Sequence, residues 1–113
     1  MKPDSHLIII AVDDGSRDDS LAILRRYQAE HPTRLRVIAH GRNRGQAATI
    51  NSAIAEANGD SIIFLDSDDL MLPHKLNTLA RWRDAAGQGF GVVQHLMELH
   101  DDRGRSSVFM VAI

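Results

Sequence analysis

Five aspartates follow two apolar segments of the sequence. They are Asp13 and Asp14 after the segment 7–12, and Asp66, Asp68 and Asp69 after the segment 61–65. Carboxylates this close repel one another and prefer water to a protein interior, so they need either solvent or a shared cation. Carboxylate oxygens suit Mg²⁺ or Mn²⁺, which commonly take further ligands from a substrate phosphate. The residue types therefore point to metal-assisted binding of a phosphorylated ligand.

A plainer interpretation of the same residues stays open at this point. Aspartate and serine are common in turns and at helix N-termini. Asp68 or Asp69 could simply cap a helix that begins near Pro73.

The elements that would position these carboxylates alternate along the chain. The predicted strands are Leu7–Val12, Leu35–Ala39 and Ser61–Leu65. The predicted helices begin at residues 18–20, 46 and about 73, and they end near His31–Pro32, Asn58–Gly59 and Gly87. Runs rich in β-branched residues favour strands that are buried on both faces, and a β-α-β-α-β-α order predicts a parallel sheet with right-handed crossovers. We expect an α/β fold of three layers.

The C-terminal part of the chain has a different pattern. Gly91–Leu99 and Arg105–Ile113 resemble strands, and the turn sequence Asp101–Gly104 lies between them. We therefore predict a C-terminal antiparallel hairpin.

The predicted sheet brings the two acidic groups together. In open parallel sheets, ligands bind beyond the carboxyl ends of the strands. Both groups follow strands of this sheet, so we expect them to share one edge and one ligand.

Composition narrows the function classes. The chain has 113 residues, of which 43% are apolar, which fits one domain over residues 1–113. A formal charge of −2 gives no electrostatic case for nucleic acid. There is no cysteine, and no apolar run approaches the length of about 20 residues that a membrane span requires. We expect a cytoplasmic protein.

Three ordered motifs resemble those of a known family. V-D-D-G-S-x-D-x-[ST] is similar to residues 12–20, N-x-G-x-x-x-x-x-N is similar to residues 43–51, and G-[DE]-x-[IL]-x-F-L-D-x-D-D-x-x-x-P-x-K-L is similar to residues 59–76. Together they resemble the family 2 inverting glycosyltransferases of the GT-A fold, over about residues 7 to 100.

The resemblance implies a nucleotide-diphospho-sugar donor, with a UDP-sugar as the expected one. It assigns nucleotide-sugar binding to Asp13 and Asp14, with Asp14 toward the base. Asn43 and Gly45 would shape a loop near the donor, although a plain turn is an equal alternative for them.

The resemblance also implies a divalent metal, Mg²⁺ or Mn²⁺. Asp66 and Asp68 match the family's Asp-x-Asp pair, with Asp66 toward ribose and metal and Asp68 toward metal and diphosphate. A metal offsets charge on the departing diphosphate while an acceptor hydroxyl attacks the sugar carbon.

The chain departs from the family in two ways. It starts at what would be the second strand of the family, and it shows no recognisable motif for the catalytic base, whose loss would cost roughly 10²–10⁴ in rate. We therefore expect a donor-binding part that is truncated at both ends. The missing first strand normally lies between the strands that end at Asp14 and Asp66. We hypothesise that the strands 7–12 and 61–65 pair directly, or that a second copy of the chain covers their open edges.

Three other interpretations remain. A response-regulator receiver also places aspartates after its first and third strands, but it needs a lysine after a later strand, and none follows Lys75. A haloacid-dehalogenase phosphatase needs Thr or Val where Leu70 stands. The main alternative is a catalytically incomplete module of the same fold that binds nucleotide or associates with itself.

Overall fold

The computed structural model describes residues 7–87, 96–100, 102–103 and 106–110. The chain divides into two compact units, Lys2–Leu70 and Met71–Ile113. The first unit contains strand β1 (Ile9–Asp14), helix α1 (Ser20–Glu30), strand β2 (Leu35–His40) and helix α2 (Gln46–Glu56). The second contains helix α3 (Lys75–Ala86) and strands β3 (Leu96–His100) and β4 (Ser106–Met110).

The first unit is a parallel strand pair with helices packed on it. β1 and β2 are parallel, and their register runs from Ile9 opposite Leu35 to Asp14 opposite His40. Helix α1 contacts both strands, and helix α2 contacts β1. The predicted α/β class is therefore confirmed. The register also places the last residues of both strands side by side, which prepares the site described below.

Local sequence sets the ends of α1. The Asp18 carboxylate accepts a hydrogen bond of 2.9 Å from the backbone N–H of Ser20, the first residue of the helix. This bond satisfies one of the N–H groups that a helix leaves unpaired at its start. At the other end, the backbone N–H of His31 donates to Tyr27, and Pro32 follows.

Helix α2 is shorter than its sequence pattern predicts. It ends at Glu56 because Ala57 has extended angles, φ −77° and ψ 134°. The prediction that Gly59 closes this helix is therefore wrong. Arg36 of β2 donates to the carbonyl of Glu56 at 3.1 Å, which supplies a partner for one of the carbonyls at the helix end.

The predicted third strand, Ser61–Leu65, does not form. Its apolar side chains are all exposed, with Phe64 at 58% and Leu65 at 54% of their full area. A strand is stable only beside a hydrogen-bonded neighbour, and in the part of the chain that the structure describes β1 pairs with β2 alone. The expected direct pairing of segments 7–12 and 61–65 is wrong for the same reason. The parallel sheet accordingly has two strands where three were predicted.

The second unit joins a helix to an antiparallel strand pair. Pro73 precedes α3 instead of lying in its first turn, and His74 is the N-cap residue. Neither Asp68 nor Asp69 therefore caps this helix. β3 and β4 pair with Leu96 opposite Met110 and His100 opposite Ser106. The predicted strand positions 91–95, 105 and 111–113, and the turn positions 101 and 104, lie outside the described residues.

In the described part of the chain, Leu35 is the one apolar residue that is buried, with 9% of its area exposed. Much of the remaining apolar surface stays accessible. No helix in the described ranges has both the length and the apolar content that crossing a bilayer requires.

Gly15 turns the chain where β1 ends, and it allows two loops to touch. Its φ is +75°, which side chains rarely adopt. A Cβ built at this position would lie 2.6 Å from the backbone carbon of Arg42 and 2.6 Å from the backbone nitrogen of Asn43. The loop after β1 therefore lies directly against the loop after β2.

Replacement of Gly15 by alanine tests this contact. Backbone strain at a positive φ costs of order 1–3 kcal/mol, and the clash with fixed backbone adds to it, so we expect Gly15→Ala to lower the free energy of unfolding by at least that amount. Gly41→Ala is the matched control, because a Cβ at Gly41 has no atom within 4 Å. Urea denaturation of both variants is the measurement. Equal stability of the two variants would contradict the contact.

Candidate functional site

The Asp14 carboxylate is the centre of a hydrogen-bond network at the carboxyl end of β1. Its Oδ1 lies 2.8 Å from His40 Nδ1 and accepts a bond of 2.8 Å from the backbone N–H of Arg44. Its Oδ2 accepts a bond of 2.9 Å from the backbone N–H of Gly45. One side chain thus joins β1, the end of β2 and the start of α2. Gly45 is the N-cap residue of α2, with φ +95°.

These contacts stabilise the ionised form of Asp14. The hydrogen bond from His40 is the largest cause that lowers the pKa of the carboxyl below its usual value of 3.8, and the Arg44 N–H adds to it. A partial loss of hydration opposes the shift. Because the carboxylate can only accept hydrogen bonds, His40 Nδ1 must carry the proton that lies between them.

His40 continues the network to helix α2. Its Nε2 lies 2.8 Å from Ser52 Oγ, and the residue is only 7% exposed. Sequence reasoning missed both His40 and Ser52. The sequence does show that His40 is a polar residue at the end of an apolar strand. Only the β1–β2 register shows that it lies opposite Asp14.

Asp13 has a different environment from its neighbour. It is 5% exposed, and its Oδ2 accepts a bond of 3.1 Å from the backbone N–H of Ser16. This short-range bond closes the turn that Gly15 makes possible. Burial of a carboxylate with one hydrogen bond from the protein is costly unless another polar group approaches it.

A cavity of about 450 Å³ lies beside these carboxylates. It is bounded by the ends of both strands and by the loops that follow them. Its lining residues are Asp13, Gly15, Ser16, Arg17, Leu21, Ala39, His40, Gly41, Arg42 and Asn43. The lining thus combines a buried carboxylate, an amide and two arginines. Such a mixture suits a polar ligand that carries both hydrogen-bond donors and negative charge.

The second acidic group lies in a turn. Carboxylate oxygens of Asp66, Asp68 and Asp69 all lie within 4.8 Å of one another, and all three residues are exposed. The backbone N–H of Asp69 donates to the carbonyl of Asp66 at 3.1 Å, so the chain folds back over four residues. Three oxygen ligands at this separation fit a hard divalent cation. Asp69 belongs to this group, although only Asp66 and Asp68 were predicted as ligands.

The structure brings together only part of the predicted site. The backbone N–H of Gly45 donates a hydrogen bond to Asp14, and Asp13 and Asn43 line the cavity. Over the residues that the structure describes, no hydrogen bond or ion pair joins Asp66 or Asp68 to Asp14, and neither of the two lines the cavity. The expected convergence of both acidic groups on one ligand therefore stays a prediction.

Comparison with known proteins identifies related sequences. Residues 2–105 match the family model described as Glycosyl transferase family 2. The chain is 35% identical over 92 residues to a protein of Nostoc sp. named uncharacterized glycosyltransferase alr2836, covering 81% of this chain and 28% of that protein. It is 37% identical over 90 residues to the undecaprenyl-phosphate 4-deoxy-4-formamido-L-arabinose transferase of Pseudomonas syringae, covering 80% of this chain and 26% of the relative.

A third relative shows similarity over a shorter range. The succinoglycan biosynthesis protein ExoU of Rhizobium meliloti is 42% identical over 72 residues, which cover 63% of this chain and 20% of that protein. The chain thus spans about a quarter of the length of these relatives. No solved structure matches it.

The pKa of Asp14 predicts how stability depends on pH. Because folding lowers this pKa, the unfolded chain binds more protons near pH 3–4, and the stability that Asp14 contributes is present above pH 3.8 and lost as pH falls through the lower, folded value. Asp14→Asn removes this titration. We expect the variant to be less stable at pH 7 and to lose less stability than the wild type on acidification from pH 5 to about pH 2. Urea denaturation at several pH values measures both slopes, and equal slopes would contradict the assignment.

Proposed function

Because the chain belongs to glycosyl transferase family 2, we propose that it is the donor-binding part of an enzyme that transfers a sugar from a nucleotide-diphospho-sugar to an acceptor hydroxyl. The family that the three motifs predict is thereby confirmed. The observation that carries the proposal is the cavity at the carboxyl ends of β1 and β2. It is lined by Asp13, Asn43 and His40, and His40 is hydrogen-bonded to the Asp14 carboxylate. Open parallel sheets bind ligands at this position.

Asp14 is the proposed contact to the nucleotide base. An ionised carboxylate has about four acceptor positions, two on each oxygen. Protein groups fill both positions on Oδ1 and one on Oδ2. With respect to the described residues, one acceptor position on Oδ2 is left, and the side chain is 19% exposed. A single ring N–H, such as N3–H of uracil or thymine, matches one acceptor position. This match supports a donor with one of these two bases, and the family resemblance favours a UDP-sugar.

The other proposed donor contacts come from the cavity wall. Asp13 and Asn43 line the cavity and present an acceptor and an amide, and Gly45 holds the loop through its bond to Asp14. Arg17 and Arg42 also line the cavity. Guanidinium groups bind phosphate oxygens by charge-assisted hydrogen bonds, so these two side chains favour an anionic ligand.

Asp66 and Asp68 are the proposed metal ligands, with Asp69 as a third carboxylate in reach. The fit rests on three exposed carboxylates within 4.8 Å, an oxygen-rich donor set of the kind that Mg²⁺ and Mn²⁺ prefer. A bound divalent metal would neutralise charge on the leaving diphosphate. The carboxylates of the turn that follows segment 61–65 would hold the ion.

A second candidate function is binding without transfer. No Asp or Glu of this chain stands in a recognisable motif for the family's catalytic base, which the acceptor hydroxyl needs in order to lose its proton. The exposed apolar segment 61–65 also indicates surface that another chain can cover. In this alternative the chain is a catalytically incomplete module that binds nucleotide or associates with itself. The cytoplasmic location likewise stays a prediction.

Titration with UDP tests the donor site and the metal ligands together. We expect UDP to bind more tightly with Mn²⁺ present, and Asp66→Asn/Asp68→Asn to remove that gain, a loss of about tenfold or about 1.4 kcal/mol. Asp60→Asn is the control, since it removes a carboxylate that is also exposed but lies outside the cluster. Isothermal titration calorimetry with and without Mn²⁺ is the measurement.

The outcomes of this titration separate the candidate functions. Absence of UDP binding by the wild-type chain would contradict both nucleotide-binding candidates and leave only the self-associating module. Binding that Mn²⁺ does not alter would contradict the metal assignment alone. Metal-dependent binding without sugar transfer or donor hydrolysis would favour the incomplete module.

The mass in solution tests the proposal that a second copy covers the open strand edge. We expect a species of at least twice the chain mass of 12.5 kDa. Among the described residues one edge of β1 has no strand partner and segment 61–65 is exposed, so both offer surface for association. Ile63→Lys should shift the equilibrium toward monomer. Ile23→Lys is a matched control on α1, since the two isoleucines are 42% and 43% exposed. Light scattering that shows a folded wild-type monomer would rule out self-association.

A further inference from the structure

We propose that His40 and Ser52 are positioning residues for nucleotide recognition. Through a hydrogen-bonded chain they hold the Asp14 carboxylate in an orientation that leaves one acceptor position for a base N–H. This inference rests on the proposed function and deepens it, because it names the residues that determine the selectivity of the donor site for the base.

The Asp14–His40–Ser52 hydrogen bonds have a defined geometry. The two ring nitrogens of His40 each have one partner at 2.8 Å, Asp14 Oδ1 on one side and Ser52 Oγ on the other. Three elements, β1, β2 and α2, each supply one residue. The His40 side chain is 5% exposed, so water competes little for either bond.

The two ring nitrogens of His40 have different roles, one as donor and one as acceptor. Asp14 can only accept, so His40 Nδ1 donates to it. In the neutral imidazole Nε2 is then an acceptor, and the Ser52 hydroxyl donates to it. Ser52 thereby stabilises the tautomer that Asp14 requires. Loss of Ser52 would leave a buried ring nitrogen without its partner.

The hydrogen bonds from protein groups limit the acceptor positions that Asp14 can offer a ligand. His40 occupies one position on Oδ1, and the N–H groups of Arg44 and Gly45 occupy two more positions of the carboxylate. Without His40 the carboxylate gains a second open acceptor position and loses the contact that fixes it to β2. A ligand with a single N–H then no longer meets a single matching acceptor. We therefore expect His40 to control the discrimination between bases as well as overall affinity.

The same three residue types also form the relay of serine hydrolases, in which the serine attacks a carbonyl carbon. The arrangement here does not favour that chemistry. In the α/β-hydrolases the nucleophilic serine sits on a strained turn between a strand and a helix, which exposes its Oγ. Ser52 instead lies in the middle of helix α2, and its backbone φ is not positive. We therefore assign Ser52 to orientation of the imidazole.

The experiment compares binding of uridine and cytidine by the whole chain. Uracil carries an N3–H donor, whereas the N3 of cytosine is an acceptor that the carboxylate repels. We expect the wild type to bind uridine more tightly than cytidine. In His40→Gln the ratio of the two dissociation constants should fall about tenfold, the effect of one charge-assisted hydrogen bond. His40→Asn should keep most of the preference, because its amide nitrogen branches from Cγ as Nδ1 does. His31→Asn, at an exposed histidine, is the control and should match the wild type.

Two further measurements keep the inference testable if His40→Gln fails to fold. Ser52→Ala should fold and lose about threefold of the uridine preference, since the tautomer is then held by Asp14 alone. Nitrogen-15 chemical shifts of the free wild-type chain should show His40 protonated on Nδ1. A proton on Nε2 in the neutral imidazole would overturn the proposal, as would a folded His40→Gln or Ser52→Ala variant with the full uridine preference.

The remaining outcomes separate this inference from the proposed function. A wild-type chain that binds neither nucleoside and no UDP would overturn both. If the wild-type chain prefers uridine but His40→Gln and His40→Asn show the same uridine preference as each other, only the role of His40 is overturned. Hydrolysis of an activated aryl ester that Ser52→Ala abolishes would also overturn the inference, because Ser52 would then be a nucleophile.

Discussion

The rest of the site depends on one ionised carboxylate that accepts three hydrogen bonds. Asp14 is the last residue of β1, and its partners come from the end of β2 and the start of α2. Each of these bonds is charge-assisted and stronger than a bond between neutral groups. Together they attach the loop after β2 to the end of β1. His40 is also part of the cavity lining, so the Asp14 side chain holds one wall of the cavity.

Glycine makes this arrangement sterically possible. The turn after β1 has a positive φ at Gly15, and its backbone lies so close to residues 42 and 43 that no side chain fits between them. Gly45 likewise has a positive φ where its N–H meets Asp14. The loop after β1 and the loop after β2 thus approach each other through backbone atoms. Asp13 and Asn43 consequently face the same cavity.

The acidic turn at residues 66–69 forms although the segment before it is not a strand. A single backbone hydrogen bond closes the turn and brings three carboxylates within 4.8 Å. This geometry requires only neighbouring residues. The segment 61–65 before it has the composition of a buried strand but lies exposed, since the described part of the chain supplies no neighbouring strand for it. The proposed cation site and the proposed nucleotide site thus depend on different contacts, which are local in the acidic turn and tertiary around Asp14.

Sequence reasoning was reliable where short-range chemistry decides the structure. The apolar runs, the residues at the helix ends and the motif spacing predicted β1, α1, β2, α2 and α3 to within a few residues, and they predicted the family. It failed for segment 61–65, where β-propensity was correct but a strand also needs a hydrogen-bonded partner from elsewhere in the sheet.

The Asp14–His40–Ser52 chain was equally beyond sequence reasoning. Its members are separated by 26 and 12 residues and meet only through the parallel register and the packing of α2 on β1. The sequence by itself determined which carboxylates are present and which local turns they form. The tertiary structure alone decided which of them is held by a buried imidazole, because that contact depends on how separate elements align in space.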